Sequence, residues 1–134
     1  MKRMASIAIA ATLLAGCSSG LKHPVHEVTA TLAGDQVQRV RITAHSFWFD
    51  PNRVVVKRGI PVELTVQNGA WFVPHDFSCD EQEAGIVLDL RLGMFHGSKH
   101  ARFTPTKAGE YPFHCDVDHH EKHGMTGKIV VVEP

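Results

Sequence analysis

The stretch from Phe113 to Met125, FHCDVDHHEKHGM, holds one cysteine, four histidines and one methionine within thirteen residues. Thiolate, imidazole and thioether are the soft to borderline donors that a copper ion favours. A type 1 copper site takes two imidazoles and one thiolate in a trigonal plane, with a weak axial thioether. The sulfur donors suit Cu(I) and imidazole tolerates both oxidation states, so one rigid set serves both. Such a site needs one or two of these histidines, not four, and residue type alone does not say which.

Positioning these donors calls for a cysteine at the end of one strand and a methionine at the start of the next, with a histidine in the loop between. The chain has that pattern. Tyr111 to Cys115 reads as a strand end, Met125 stands just before Gly127, and Lys128 to Val132 (KIVVV) reads as a final strand. Upstream, apolar and polar residues alternate in Arg39 to Ala44 and in Val62 to Gln67, the period of half-buried strands. Arg53 to Lys57, Ile86 to Leu92 and Ala101 to Thr104 complete the set, and Val28 to Leu32 is available as an edge strand. Pro51-Asn52, Asn68-Gly69, Gly97-Ser98 and Ala108-Gly109 mark turns between them. No segment carries a long helical stripe. Seven to eight short strands in about 100 residues predict an all-β, Greek-key β-sandwich.

From about Val40 to Val132 the chain resembles the single-domain cupredoxins, the class of plastocyanin, azurin, auracyanin and rusticyanin. ITAHSFWFDPNRVVVKRGIPVELTVQN is similar to their first strands, and VPHDF to the segment carrying their first histidine ligand. GEYPFHC followed by HGMTGKIVVV is similar to their cysteine strand, ligand loop and last strand. The resemblance implies one type 1 copper ion held by His75, Cys115, His120 and Met125, the Cys-x4-His-x4-Met spacing of auracyanin and rusticyanin selecting His120. The chain departs from the family at Asp118, where proline is common, and at His119, where glycine is usual. By spacing alone His119 remains a rival ligand.

The other histidines have plainer readings. His114 points to the opposite strand face from Cys115, His123 is exposed, and His45 packs or faces solvent on the first strand. His23 and His26 belong to a solvated linker. His96 and His100 flank the Gly97-Ser98 turn and read as solvated, with a weak second copper site shared with loop histidines such as His123 as the alternative. Cys79 reads as a small buried thiol; a disulfide with Cys115 would consume the copper thiolate. Zinc is disfavoured, since neither cysteine has a close Cys-x2-4-Cys partner.

The first residues resemble a bacterial lipoprotein leader. Lys2 and Arg3 precede the apolar run Ile7 to Leu14, and Leu14-Ala15-Gly16-Cys17 resembles a lipobox, whose cysteine is acylated. Residues 1–16 are then a signal peptide, 17–35 a lipid-attached tether and 36–134 the domain. Basic and acidic residues number 14 each over the whole chain, so no basic stripe suits nucleic acid. The expected location is the periplasmic side of a bacterial membrane, by lipid anchor only. Ser18 favours the outer membrane where there is one.

The function implied is one-electron transport by a monomer docking transiently on redox proteins. Copper binding and delivery is the alternative, suggested by the crowded loop. An enzyme is not expected, because Met125 is available to fill the position that catalysis would leave open.

Overall fold

The computed structural model describes residues 23–134, so the leader and Cys17 lie outside the described residues. Among the described residues eleven strands form, in chain order β1 (Glu27–Thr29), β2 (Thr31–Leu32), β3 (Gln38–His45), β4 (Trp48–Asp50) and β5 (Arg53–Lys57). There follow β6 (Val62–Asn68), β7 (His75–Glu81), β8 (Ile86–Gly93), β9 (Ser98–Phe103), β10 (Gly109–His114) and β11 (Thr126–Val132). Two short 3-10 segments, Gln82–Ala84 and Val117–His123, the second kinked at Asp118 and His119, are the helical elements among the described residues.

The strands build two sheets, in the orders β1-β5-β11-β10-β7-β8 and β2-β3-β6-β9, with β4 paired to β3. The chain crosses repeatedly between the two sheets, the Greek-key sandwich that the alternating pattern predicts. The count exceeds seven to eight because short pieces at the edges, β1, β2 and β4, form in addition. Residues 27 to 32, within the stretch whose composition reads as tether, pair with both sheets. His26 and His23 are therefore not free linker residues: the His26 ring pairs with Asp50, and His23 stacks on Trp48.

Each long strand sends alternate side chains inward. On β3 these are Val40, Ile42 and Ala44, and on β6 Val62, Leu64 and Val66, all buried. Below the cysteine strand lies a triad of fully buried rings. Phe113 stands 4.5 Å from Phe77 and 5.3 Å from Phe49 between ring centres. The pair with Phe49 is edge-on and the pair with Phe77 tilted, and aromatic contacts of this kind contribute about 0.5–1.5 kcal/mol each beyond area burial. They fix the strand that ends at Cys115.

Candidate metal centre

Four connections meet at one end of the sandwich: β3–β4, β6–β7, β8–β9 and β10–β11. His75 is the first residue of β7, Cys115 directly follows β10, and Met125 directly precedes β11. Asn68, fully buried at the end of β6, holds this end together. Its side-chain N–H groups donate to the carbonyls of Val73 at 2.9 Å and Gly93 at 2.6 Å, and its Oδ1 accepts from Ala70 N–H. The loop leading into His75 is thereby tied to the β8–β9 turn.

The Cys115 sulfur lies 3.5 Å from Nδ1 of His120 and 3.9 Å from Nδ1 of His75. All three donor atoms lie within 4.8 Å of one another, the one such group of three or more among the described residues. Each of the three is buried, His75 to 1% exposure and His120 to 5%. With bonds as long as those zinc makes, about 2.0 Å to imidazole and about 2.3 Å to thiolate, a trigonal plane sets nitrogen and sulfur roughly 3.7 Å apart. The observed separations match that requirement. Met125 is fully buried beside them. Its N–H donates to the His120 carbonyl at 3.1 Å, and its own carbonyl accepts from Cys115 N–H at 3.2 Å.

The rival, His119, is not brought in. It is exposed, with its ring 3.6 Å from Glu121, and its backbone lies in the left-handed region at φ 59°. Asp118 precedes it at φ 42°, which proline cannot reach. The loop's two departures from the family are therefore physically connected: Asp and His are among the residues that tolerate left-handed backbone. Nor do the other histidines gather. His96 Nδ1 bonds the Asn68 carbonyl and His100 Nδ1 the Thr65 hydroxyl, while His114 meets Asp116. Cys79 and Cys115 are both free and buried.

Two further residues, Asp76 and Phe47, carry no local sequence signal for their role here. Asp76 donates its N–H to the Cys115 sulfur at 3.4 Å, and its carboxylate accepts Asp116 N–H at 2.7 Å. One residue thus ties the His75 strand to the cysteine loop. Phe47 packs its ring edge against His120 at 4.8 Å from a backbone at φ 69°, uncommon for a bulky side chain. His75 turns Nδ1 toward the sulfur, while its Nε2 is buried with no hydrogen-bond partner.

Residues 6–131 match the profile described as a cupredoxin-like domain. The chain belongs to the cupredoxin-like family. Its cupredoxin fold and donor set fit a single copper ion, as in blue copper proteins. No curated protein sequence matches the chain. Among solved structures, it is similar to the metal-binding domain of the Streptococcus pneumoniae D39 Cu(I)-exporting P-type ATPase CopA. That pair share 23% identity and a TM-score of 0.61, over 83% of this chain and 100% of that one. Auracyanin from Roseiflexus castenholzii is 18% identical with a TM-score of 0.59, over 70% of this chain and 96% of that one. Auracyanin A, a "blue" copper protein from Chloroflexus aurantiacus, is 18% identical at 0.58, over 72% and 99%. At these identities the likeness is one of fold.

In this cupredoxin the metal-free donors are uncharged at neutral pH. Burial pushes the Cys115 thiol up to about 11. Burial, reinforced by His120 and His45, holds the His75 imidazole down at about 4. Burial lowers His120 as well. Loading with Cu(II) between pH 7 and 8 should therefore release one proton per ion, from the thiol, as read by pH-stat titration. The same shifts bear on stability. His75 titrates lower folded than unfolded, so the metal-free domain should lose stability as pH falls from about 6.5 to about 4. Cys115 titrates higher folded, so stability should also fall as pH rises from about 9 to about 11. Denaturant midpoints across pH check both arms.

The choice within the loop is tested separately. His120→Gly should open a position in the metal plane that added imidazole refills, restoring the visible spectrum of the copper-loaded protein. His119→Gly should leave that spectrum unchanged and relieve the left-handed backbone. The reverse pattern would transfer the ligand role to His119.

Proposed function

We propose that this cupredoxin is an exported type 1 copper protein, anchored by acylated Cys17, that carries single electrons between redox proteins. Its ligands in this reading are His75, Cys115, His120 and Met125. The observation that carries it is the convergence of two buried imidazole nitrogens on a buried thiol at distances suited to one ion. When bound, copper supplies a one-electron couple between Cu(I) and Cu(II). The chain's part is to keep the donors still. Hydrogen bonds from Asp76 and Met125 close the loop on itself, and the phenylalanine triad holds the strands beneath. A set fixed before the metal arrives needs little movement when the oxidation state changes.

The crowded loop gives copper delivery as the second reading, since exposed His119 and His123 stand beside the site. A carrier must keep its ion through the cycle, whereas a delivery protein must release it. Reduction should bleach the visible band and reoxidation restore it, with bound copper unchanged in the presence of a moderate Cu(I) chelator. Replacing His96, His119 and His123 together should spare this cycle. Rapid loss of copper to the chelator on reduction would make delivery the better reading.

A further inference from the structure

We propose that the metal end of this domain rests on a phospholipid bilayer through an exposed aromatic rim. The inference depends on the anchored reading above, and two features of the described residues extend it.

The first is where the chain leaves the domain. β1 runs parallel to β5, and β5 parallel to β11, so all three begin at the same end. β11 begins directly after Met125, which makes that end the metal end. Upstream of β1 the chain is still fastened. Asn52 donates to the Pro24 carbonyl at 3.0 Å and accepts His26 N–H at 2.8 Å. His23 stacks on Trp48 at 4.7 Å, and Trp48 on His45 at 4.4 Å. Only six positions separate His23 from Cys17, a leash of at most ~20 Å. A domain of this size is roughly 35 Å across, from a radius of gyration of about 13 Å. The leash is too short for the opposite end to lie on the membrane.

The second is what that end presents. Trp71 and Phe72 in the β6–β7 loop are 61% and 76% exposed, and Phe95 in the β8–β9 loop is 60% exposed. The rings of Phe72 and Phe95 meet at 5.9 Å, and Phe95 N–H donates to the Trp71 carbonyl at 2.9 Å. The two loops thus form one knot, held from beneath by Asn68. Met94 and Phe47, also exposed, add to the apolar surface of this end. A contiguous patch of this kind marks a surface that something covers. Tryptophan and phenylalanine are side chains that seat at the boundary of headgroup and acyl chain. Because the leash leaves from the same end as the rim, the bilayer holding the acyl group is the surface the rim meets.

The test uses the full chain, expressed with its own leader in bacteria, purified from membranes, loaded with copper and kept reduced. It is reconstituted into phosphatidylcholine vesicles with or without bromine on the acyl chains. The chain has two tryptophans. Brominated lipid should lower the emission of Trp71 at least twofold: a Trp48→Phe protein keeps this quenching and a Trp71→Phe protein loses most of it. Acylated, vesicle-bound protein whose Trp71 is unquenched overturns the proposal and leaves the anchor standing, with the rim then turned to a protein or a second copy. Recovery of unacylated, soluble chain defeats the anchored reading, and the proposal with it.

Discussion

Replacing Cys115 with serine will abolish the intense visible thiolate-to-copper band of the loaded protein and leave it colourless. The sulfur is the atom on which the site converges: both imidazole nitrogens face it, at 3.5 and 3.9 Å, and Asp76 N–H points to it. A hydroxyl cannot stand in, since it is hard where the thiolate is soft and stays protonated where the thiolate ionises. Copper affinity should fall by more than about 100-fold, because losing a supporting hydrogen bond alone costs 10–100-fold. Folding should survive, as serine is close to cysteine in size. The control is Cys79→Ser, which removes a buried thiol outside the donor group. It should cost stability while leaving the band in place. Absence of the band from fully loaded wild-type protein would defeat the assignment, whatever the variants did.

Much of the sandwich is legible because a strand with one buried face writes its period into the residues. Arg39 to Ala44 and Val62 to Gln67 alternate, and β3 and β6 form over them with Val40, Ile42, Leu64 and Val66 inward. The pairing is less legible. β3 lies parallel to β6, and β1 and β11 parallel to β5, and such partners share no turn that would announce them. Glu27 to Thr29 has too few residues for a period, so a solvated tether and an edge strand read alike until Arg53 to Val55 are seen beside them.

The donors are legible for a different reason. Cys115, His120 and Met125 lie in one loop between two strands, so their spacing in sequence is close to their spacing in space. His75 is 40 residues from Cys115 and is found by resemblance to a known segment rather than by distance along the chain. The residues that support the donors leave no such trace. Asp76 acts through its backbone N–H as well as its carboxylate. Asn68 resembles any turn asparagine until its partners, Val73 and Gly93, are brought to it.

Gly127 shows how closely the donor loop is coupled to the core, and changing it to alanine should be among the most damaging single-methyl additions available. A Cβ there would stand 2.2 Å from Phe113 Cζ, 2.4 Å from its Cε2 and 2.5 Å from the Asn52 carbonyl oxygen. Neither neighbour can give way cheaply. The Phe113 ring is fully buried between Phe49 and Phe77. The Asn52 carbonyl accepts Lys128 N–H at 2.9 Å, and the Asn52 side chain holds Pro24 and His26. Overpacking of a tight core costs about 1–3 kcal/mol and sometimes more; two rigid obstacles place Gly127→Ala at the upper end, about 3 kcal/mol. Against a total stability of about 5–15 kcal/mol that is a large fraction. The metal-free variant should show a much lower denaturant midpoint. Because Gly127 lies two residues beyond Met125, the loaded variant should bind copper more weakly too. Gly34→Ala, where a Cβ meets nothing within 4 Å, should be close to neutral. Adding Phe113→Leu to Gly127→Ala removes the ring atoms that block the methyl and should recover part of the loss, although Phe113→Leu alone is destabilising. A double variant no more stable than the sum of the two single losses would place the strain at the Asn52 carbonyl instead.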